Sequence, residues 1–194
     1  MSQTNNRSGA GVPPQIELKW IDTTGGPHVL IPEEGLADWR GCENWEDNSE
    51  SDPSDYANAC RNSAKYLNLI GSARYSAAVF GGDYGPITWI PTSDKSGSFV
   101  TWIGCDSDAA VMELRAQDEL GAIERLHREE NFLLETGPSG RMVLLDASVG
   151  GLDIGPDDHE LVSLHPGQYL MRAYYLETDD CMIVVRALSR LDHE

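Results

Sequence analysis

The chain has 194 residues, with 14 Lys and Arg against 32 Asp and Glu, which gives a formal net charge of −18. This length supports one well-buried core and argues against two large independent domains. No apolar run approaches the roughly 18 residues of a membrane span, and the charge repels nucleic acid and anionic lipid. We therefore expect neither a membrane nor a nucleic acid as partner. The same charge attracts basic partners, although solubility alone explains it equally well.

The N-terminal residues 1–15 are polar and rich in Gly and Pro, without the apolar core of a secretion signal. They predict a disordered tail, followed by a single domain over residues 16–194 that can divide into β-rich halves at 16–105 and 130–191. We expect a cytoplasmic location. The four cysteines are far apart and form no CxxC pair, so two disulfides are conceivable in three pairings. Without a secretion signal, the better prediction is four reduced thiols, at Cys42, Cys60, Cys105 and Cys181.

The first elements are two strand-like runs at residues 16–21 and 28–31, separated by Gly25-Gly26-Pro27, and this pattern predicts a hairpin. A helical turn at 33–39 and an acidic loop follow. Residues 55–64 have helix-compatible composition with a Ser or Asp cap, and residues 66–70 return to strand character.

Residues 75–105 contain three apolar or aromatic runs, at 76–80, 87–90 and 99–103, separated by Gly, Pro, Asp and Ser. They predict three consecutive strands, with a hairpin turn at 81–86 and a longer loop at 91–97. Trp89 and Trp102 lie on these strands. We expect this meander to be the centre of the fold, with both tryptophans packed into its core.

Residues 106–128 predict the one main helix, capped by Asp106 or Ser107 and carrying an apolar stripe. The stripe consists of Ala109, Met112, Ala116, Leu120, Ile123 and His127, while Asp118 faces water. The remaining chain is rich in short strand-like runs, at 132–135, 142–146, 161–164, 169–176 and 182–188. The predicted fold class is therefore α+β, with largely antiparallel sheet before and after one main helix.

No catalytic, metal-binding or nucleotide-binding motif occurs in the chain, so we expect a protein that is not an enzyme and has no cofactor or metal. His28 and His127 lie in apolar settings typical of packed, hydrogen-bonded histidines. Two alternatives stay open. Cys60 and a distant histidine can serve a small cysteine-dependent hydrolase or modifying enzyme, and the acidic chain can be a scaffold protein.

Aromatic residues, glycines and prolines form an ordered series of short landmarks. The series is Trp20-Ile21, Gly25-Gly26-Pro27, Pro32, Trp39-x-Gly41, Asp55-Tyr56-x-x-Ala59-Cys60, Gly85-Pro86-x-Thr88-Trp89, Val100-x-Trp102, Leu144-Leu145-Asp146-Ala147, Pro166-Gly167-x-Tyr169 and Arg190-Leu191. Its order resembles the immunity protein 21 family of bacterial polymorphic-toxin systems, over residues 20–191. In physical terms the landmarks are core anchors and turn formers, so they indicate fold rather than reaction.

The resemblance implies a small cytoplasmic, non-enzymatic protein that binds a toxin domain and protects the producing cell and its kin. The acidic surface suits a basic toxin such as a nuclease. The sequence places the contact in the acidic loop, where Trp45 is a candidate anchor among carboxylates. The candidate toxin-binding residues are Glu43, Trp45, Glu46, Asp47, Glu50, Asp52 and Asp55. A mobile solubilising loop is the alternative for the same residues.

Overall fold

The computed structural model describes residues 18–43, 54–71, 75–127 and 132–191. The tail predicted over residues 1–15 lies outside these ranges, and the division of the chain into one domain or two halves stays a prediction. Within the described residues the strands are β1 (His28–Pro32), β2 (Asn68–Gly71), β3 (Ser76–Phe80), β4 (Ile87–Ser93), β5 (Ser96–Cys105), β6 (Phe132–Glu135), β7 (Arg141–Asp146), β8 (His159–Ser163), β9 (Gln168–Glu177) and β10 (Cys181–Arg190). A 3-10 helix spans Glu33–Asp38, and the α-helices are α1 (Asp55–Arg61) and α2 (Asp108–Glu119).

The strands form two five-stranded antiparallel sheets that pack face to face. The first sheet, sheet 1, has the order β2-β3-β1-β7-β8, and sheet 2 has the order β4-β5-β10-β9-β6. The strands β1 and β10 occupy the two centres, so each sheet combines strands from both sides of α2. The inner faces meet in one core that includes Leu30 and Leu144 from sheet 1 and Phe99 and Met171 from sheet 2.

The α+β prediction with one main helix is wrong, because this architecture is mostly β with small helices. Each sheet is also covered on its outer face. The 3-10 helix, α1 and the turn after β7 pack on the outer face of sheet 1, and α2 packs on that of sheet 2. Central strands buried on both faces show continuous apolar runs instead of alternation, as in β1, whose five residues are all buried.

Two predicted strand pairings are wrong, and the strand predicted at residues 16–21 is reduced to an isolated bridge at Ile21 within its described part. The turn 81–86 carries the chain from β3 in sheet 1 to β4 in sheet 2, so residues 75–105 do not form one meander. Of the three strands described in this stretch, β4 and β5 pair as a hairpin and β3 lies in the other sheet. The predicted first hairpin is also absent from the described residues, because Ile21 pairs with Ile87 and β1 pairs with β3 and β7.

The helix predicted at 106–128 is shorter, because α2 ends at Glu119 and Gly121 adopts φ +68, a conformation that favours glycine. The cap at Ser107 is confirmed, since its hydroxyl accepts the N–H of Ala110. The predicted apolar stripe is wrong. The buried face consists of Val111, Leu114, Arg115 and Asp118, whereas Leu120 is 84% exposed.

Hydrogen bonds and ion pairs explain how the charged residues Arg115 and Asp118 can be buried on the inner face of α2. Asp118 accepts the Arg115 guanidinium at 2.6 Å, the Arg125 Nε–H at 2.6 Å and the Tyr174 hydroxyl at 2.8 Å. Burial of a charge is tolerated when it is paired and hydrogen-bonded in this way. A search for apolar residues at helical spacing does not detect a buried face that contains paired charges.

The prediction of four reduced thiols is wrong for two of the cysteines. Cys105 ends β5 and Cys181 begins β10, and these directly opposed residues form a disulfide with a Cα–Cα distance of 4.1 Å. Cys42 and Cys60 are thiols outside any disulfide, as predicted. The bond joins residues 76 positions apart, so it fixes the two long central strands of sheet 2 at one end.

Candidate functional site

The two ends of the acidic segment are held together at one place on sheet 1. The Arg40 N–H donates to Asp55 Oδ2 at 2.7 Å, and the Tyr56 N–H donates to the Gly41 carbonyl at 3.1 Å. Ser54 caps α1 by accepting the Ala57 N–H at 3.1 Å. The described residues that flank positions 44–53 are therefore joined by hydrogen bonds, and we call them the base of the acidic segment.

This base rests on the turn that follows β7. Trp39 is buried, and its indole N–H donates to the Ala147 carbonyl at 3.2 Å. The Trp39 carbonyl in turn accepts the Gly151 N–H at 2.8 Å. Gly41 has φ +56 and lies against the Ser148 carbonyl, where a Cβ has no room. Only glycine meets both requirements, which accounts for Trp39-x-Gly41 as a landmark.

Asp146, the last residue of β7, joins the base to the turn before β1. Its Oδ2 accepts the Thr24 N–H at 2.6 Å and the Thr24 hydroxyl at 3.0 Å, while its Oδ1 accepts the Ser148 N–H at 2.8 Å. Burial opposes ionisation of this carboxyl, but the hydrogen bonds from Ser148 and Thr24 outweigh it, and its pKa lies below the ordinary value. Asp146 is thus a structural carboxylate whose acceptor positions are used by backbone and hydroxyl donors.

Tyr56 and Cys60 complete the base from α1. The Tyr56 ring packs on Gly26, where an added Cβ would lie 2.7 Å from the hydroxyl oxygen. The same hydroxyl hydrogen-bonds to the Cys60 thiol. Burial raises the pKa of that thiol and so favours its protonated form, although the Tyr56 hydrogen bond acts in the opposite direction. A nucleophilic cysteine needs the opposite shift.

His28 is a packed histidine, as the sequence predicts. It is 2% exposed, and its Nε2–H donates to the carbonyls of Ile21 and Asp22 at 3.1 and 3.3 Å. Burial lowers its pKa to about 4, so the ring is neutral at pH 7. A pKa so far below neutral makes the ring a weak general base, which leaves it poorly suited to activate Cys60.

The predicted toxin-binding residues are only partly described. Glu43 is exposed immediately after the base, and Asp55 is the half-buried carboxylate that accepts the Arg40 N–H. The other predicted contact residues lie outside the described residues: Trp45, Glu46, Asp47, Glu50 and Asp52. Their assignment to a binding surface stays a prediction.

The sequence landmarks divide between the two sheets. Those at the base of the acidic segment include Gly25, Gly26, Pro27, Trp39, Tyr56 and Cys60. Three tryptophan landmarks, Trp20, Trp89 and Trp102, pack with residues of sheet 2 and are half-buried. The Trp20 and Trp102 rings meet edge to face at 5.2 Å, and the Trp20 indole donates to Asp108 at 3.0 Å.

Sequence reasoning missed a cleft at the opposite end of the 3-10 helix. Its volume is about 510 Å3, and its lining residues include Glu34, Gly35, Tyr75, Glu135 and Gly137. Glu34 Oε1 accepts the Ser139 N–H at 2.7 Å across 105 residues of sequence. A contact between residues so far apart in sequence has no local motif. The sequence Gly137-Pro138-Ser139-Gly140 is recognisable as a turn, but nothing in it indicates that Ser139 contacts Glu34.

Two absences hold for the described part of the chain. Within it, no three His, Cys, Asp or Glu side chains are grouped to hold a metal ion. None of its helices is long and apolar enough to cross a membrane.

Comparison with known proteins identifies one family. Residues 19–182 match the model of the family described as Immunity protein 21. Searches of curated proteins and of solved structures gave no significant match. The matched span contains the base of the acidic segment and nearly all strands of both sheets. The chain therefore belongs to the immunity protein 21 family.

Proposed function

We propose that this protein binds and neutralises a cognate toxin domain of a bacterial polymorphic-toxin system, and so protects the cell that makes it and its kin. Membership of the immunity protein 21 family is the observation that carries this proposal. Inhibition proceeds by binding in the cytoplasm rather than by catalysis. The raised pKa of the Cys60 thiol and the neutral, backbone-bonded His28 disfavour the cysteine-enzyme alternative.

The contact surface centres on the acidic segment from Glu43 to Asp55, and the partner is basic, such as a nuclease. This segment has six carboxylates and no Lys or Arg. The hydrogen-bonded base supports the placement, because it holds both ends of the segment at one point on sheet 1. Charges concentrated at one point steer a basic partner and raise its association rate.

Association kinetics test the placement. Replacement of four carboxylates by amides, at Glu43, Glu46, Asp47 and Glu50, should slow association with the toxin domain about tenfold or more at low salt. It should also flatten the dependence of the rate on ionic strength. The matched control removes four exposed carboxylates near sheet 2, at Glu113, Glu124, Asp179 and Asp180. If both variants slow association equally, net charge acts without a defined surface and the placement is wrong.

Co-expression tests the function itself. The partner is identified first, by inspecting whether the gene lies directly behind one for a large secreted protein with a C-terminal toxin domain; that domain is then co-expressed. The wild-type protein should restore growth to cells that express this domain and should co-purify with it. Cys60→Ser should protect equally well if inhibition is by binding. Loss of protection with retained folding and complex formation would favour a cysteine-dependent activity instead, and absence of any complex would favour an acidic scaffold.

A further inference from the structure

The cleft beside the 3-10 helix offers two carboxylates to a ligand from separate walls. Glu34 comes from the 3-10 helix on sheet 1, and Glu135 ends β6 on sheet 2. Both side chains are exposed at the cleft. Tyr75, Pro32 and Pro138 supply the apolar part of the lining. A volume of about 510 Å3 lies within the range of about 300–1,000 Å3 that is usual for small-ligand sites.

The Glu34 carboxylate is fixed before any ligand arrives. Its Oε1 accepts the Ser139 N–H at 2.7 Å, and its Oε2 occupies the space where a Cβ on Gly137 would lie. Burial opposes ionisation slightly, but the hydrogen bonds from Ser139 and the charge of Arg141 outweigh it and hold the pKa of Glu34 below its ordinary value. The group is therefore an anion in a defined position at neutral pH.

The other walls are also held by backbone contacts. Glu135 pairs with Gln168 in the β6–β9 ladder, and the next residue, Thr136, exchanges hydrogen bonds with Gly167 at 3.0 and 3.1 Å. On the opposite wall the Tyr75 ring lies directly against Gly35, which has no side chain to push it away. The cleft thus keeps its shape through elements of both sheets.

The charge of the cleft selects a cation. Among the described residues near the cleft, the guanidinium of Arg141 pairs with Glu33 at 2.9 Å. In that part of the chain three carboxylates, at Glu33, Glu34 and Glu135, thus accompany one guanidinium. Two carboxylates at the cleft are too few to enclose a metal ion, and a planar guanidinium can stack on an aromatic ring while it donates to carboxylates.

We propose that this cleft receives an arginine side chain of the toxin domain, with its guanidinium between Glu34 and Glu135 and its plane against Tyr75. The proposal rests on the proposed toxin-binding function for the identity of the partner. The cleft would be a second contact with the toxin, in addition to the acidic segment. Residues 33–43 connect the two places, with Glu34 at the cleft and Gly41 at the base of the acidic segment. An arginine held there aligns the partner on sheet 1.

A small probe tests the cleft without any toxin. N-acetylarginine methylamide is titrated into the 15N-labelled protein, with the citrulline analogue as a neutral control of the same shape. Saturable shifts of the Gly35, Ser76 and Gly137 amide signals should occur with the arginine probe only. They should be lost in the double variant Glu34→Gln/Glu135→Gln, in which the side-chain amide oxygen at position 34 can still accept the Ser139 N–H. Equal shifts with both probes, or no saturation by tens of millimolar, would overturn the proposal.

A glycine variant separates position from charge. Gly137→Ala keeps every carboxylate but displaces Glu34, so it should abolish the arginine-specific shifts. Its folding is checked by thermal unfolding. A folded Gly137→Ala protein that binds the probe like the wild type would show that the fixed carboxylate is not required and would reject the proposed site.

The affinity of the variants for the toxin domain is the second test. The Glu34→Gln/Glu135→Gln variant should bind it at least about tenfold more weakly, whereas the control Glu113→Gln/Glu124→Gln should stay within about twofold. If the wild type binds and both variants match it, the cleft proposal fails while the proposed function stands. If the wild type binds no toxin domain, the proposed function fails, and the probe titration alone decides whether the cleft is a guanidinium site.

Discussion

The buried His28 makes the stability of this protein depend on pH in a predictable direction. The ring is almost fully enclosed at the edge where β1 meets the turn before it, and Nε2–H donates to two backbone carbonyls. Burial is the main cause that lowers its pKa from 6.5 to about 4. Asp146 acts in the opposite direction, and Arg186 adds to the lowering. Protonation of the folded state is therefore costly.

The size and sign follow from proton linkage. Between pH 6.5 and about 4 the unfolded chain binds a proton at His28 and the folded chain does not, so stability falls as pH falls. The contribution is fully present above pH 6.5. A shift from 6.5 to about 4 amounts to about 3.5 kcal/mol, at about 1.4 kcal/mol for each pH unit, and about 3 kcal/mol of it is lost by pH 4. That is a large part of the free energy of unfolding of a typical domain, which is about 5–15 kcal/mol.

Urea unfolding at several pH values and constant ionic strength measures this loss. The wild type should lose about 3 kcal/mol more than His28→Gln between pH 7 and pH 4, because glutamine can donate to the same carbonyls without titrating. Glu160 titrates with the opposite sign, since burial raises its pKa. The difference between the two proteins removes this shared contribution.

A direct titration guards against a poorly folded variant. The His28 ring signal, followed by NMR in the wild-type protein, should show a midpoint well below 6. A midpoint near 6.5, or unfolding free energies that fall in parallel for both proteins, would refute the reasoning. The histidine would then be solvated in the folded state.

Two further predictions concern residues that join distant strands. Reduction, or Cys105→Ser/Cys181→Ser, should lower the free energy of unfolding by about 4 kcal/mol, since the bond closes a loop with a sequence separation of 76. Urea unfolding with and without dithiothreitol measures this; a wild type as insensitive to the reductant as the double variant would show that no such bond contributes. Arg186→Met should cost about 3–5 kcal/mol, because the fully buried guanidinium donates to the carbonyls of Tyr66 and Gly81 at 2.6 and 2.9 Å. A loss below about 1 kcal/mol in the same assay would contradict the importance of these bonds.

Local strand signals were sufficient to locate elements but not to pair them. The runs at 132–135 and 142–146 correspond closely to β6 and β7, because strand composition and turn residues are local properties. The partner of β1 is β7, more than a hundred residues away, and no turn sequence specifies that pairing. The turn 81–86 has the composition of a hairpin, yet it crosses between sheets, since Gly and Pro permit both paths.

The prediction of one main helix was wrong at α2 for a different reason. The sequence pattern assigned the helix an apolar stripe that included Leu120, which the structure exposes. The buried face uses Arg115 and Asp118 instead, and it is stable because each charge finds the other, with Tyr174 as a third partner. A count of apolar residues treats such positions as solvent-facing. The length failed with it, because the glycine at 121 ends the helix.

The sequence identified several residues of the base of the acidic segment but did not predict that they lie together. Trp39-x-Gly41 and Asp55-Tyr56 were recognisable landmarks, yet their shared location depends on hydrogen bonds such as Trp39 to Ala147, across 108 residues. The cleft had no such landmark. Its carboxylates become neighbours only when β6 of sheet 2 meets the 3-10 helix of sheet 1.

The covering layer of sheet 1 contributes to both proposed contacts, joined at the cleft by Glu135 of β6, and α2 on the outer face of sheet 2 provides the control positions. Residues 33–43 run from the cleft at Glu34 to the base at Gly41 over one sheet face. Basic groups of one partner can engage the two ends of this stretch together, so Glu34→Gln and Glu43→Gln should each weaken binding, and their losses should add because they are separate contacts. The same change at Glu113 should have little effect, because α2 lies on the outer face of the other sheet. Equal losses at Glu34, Glu43 and Glu113 would indicate diffuse acidity instead of a shared interface.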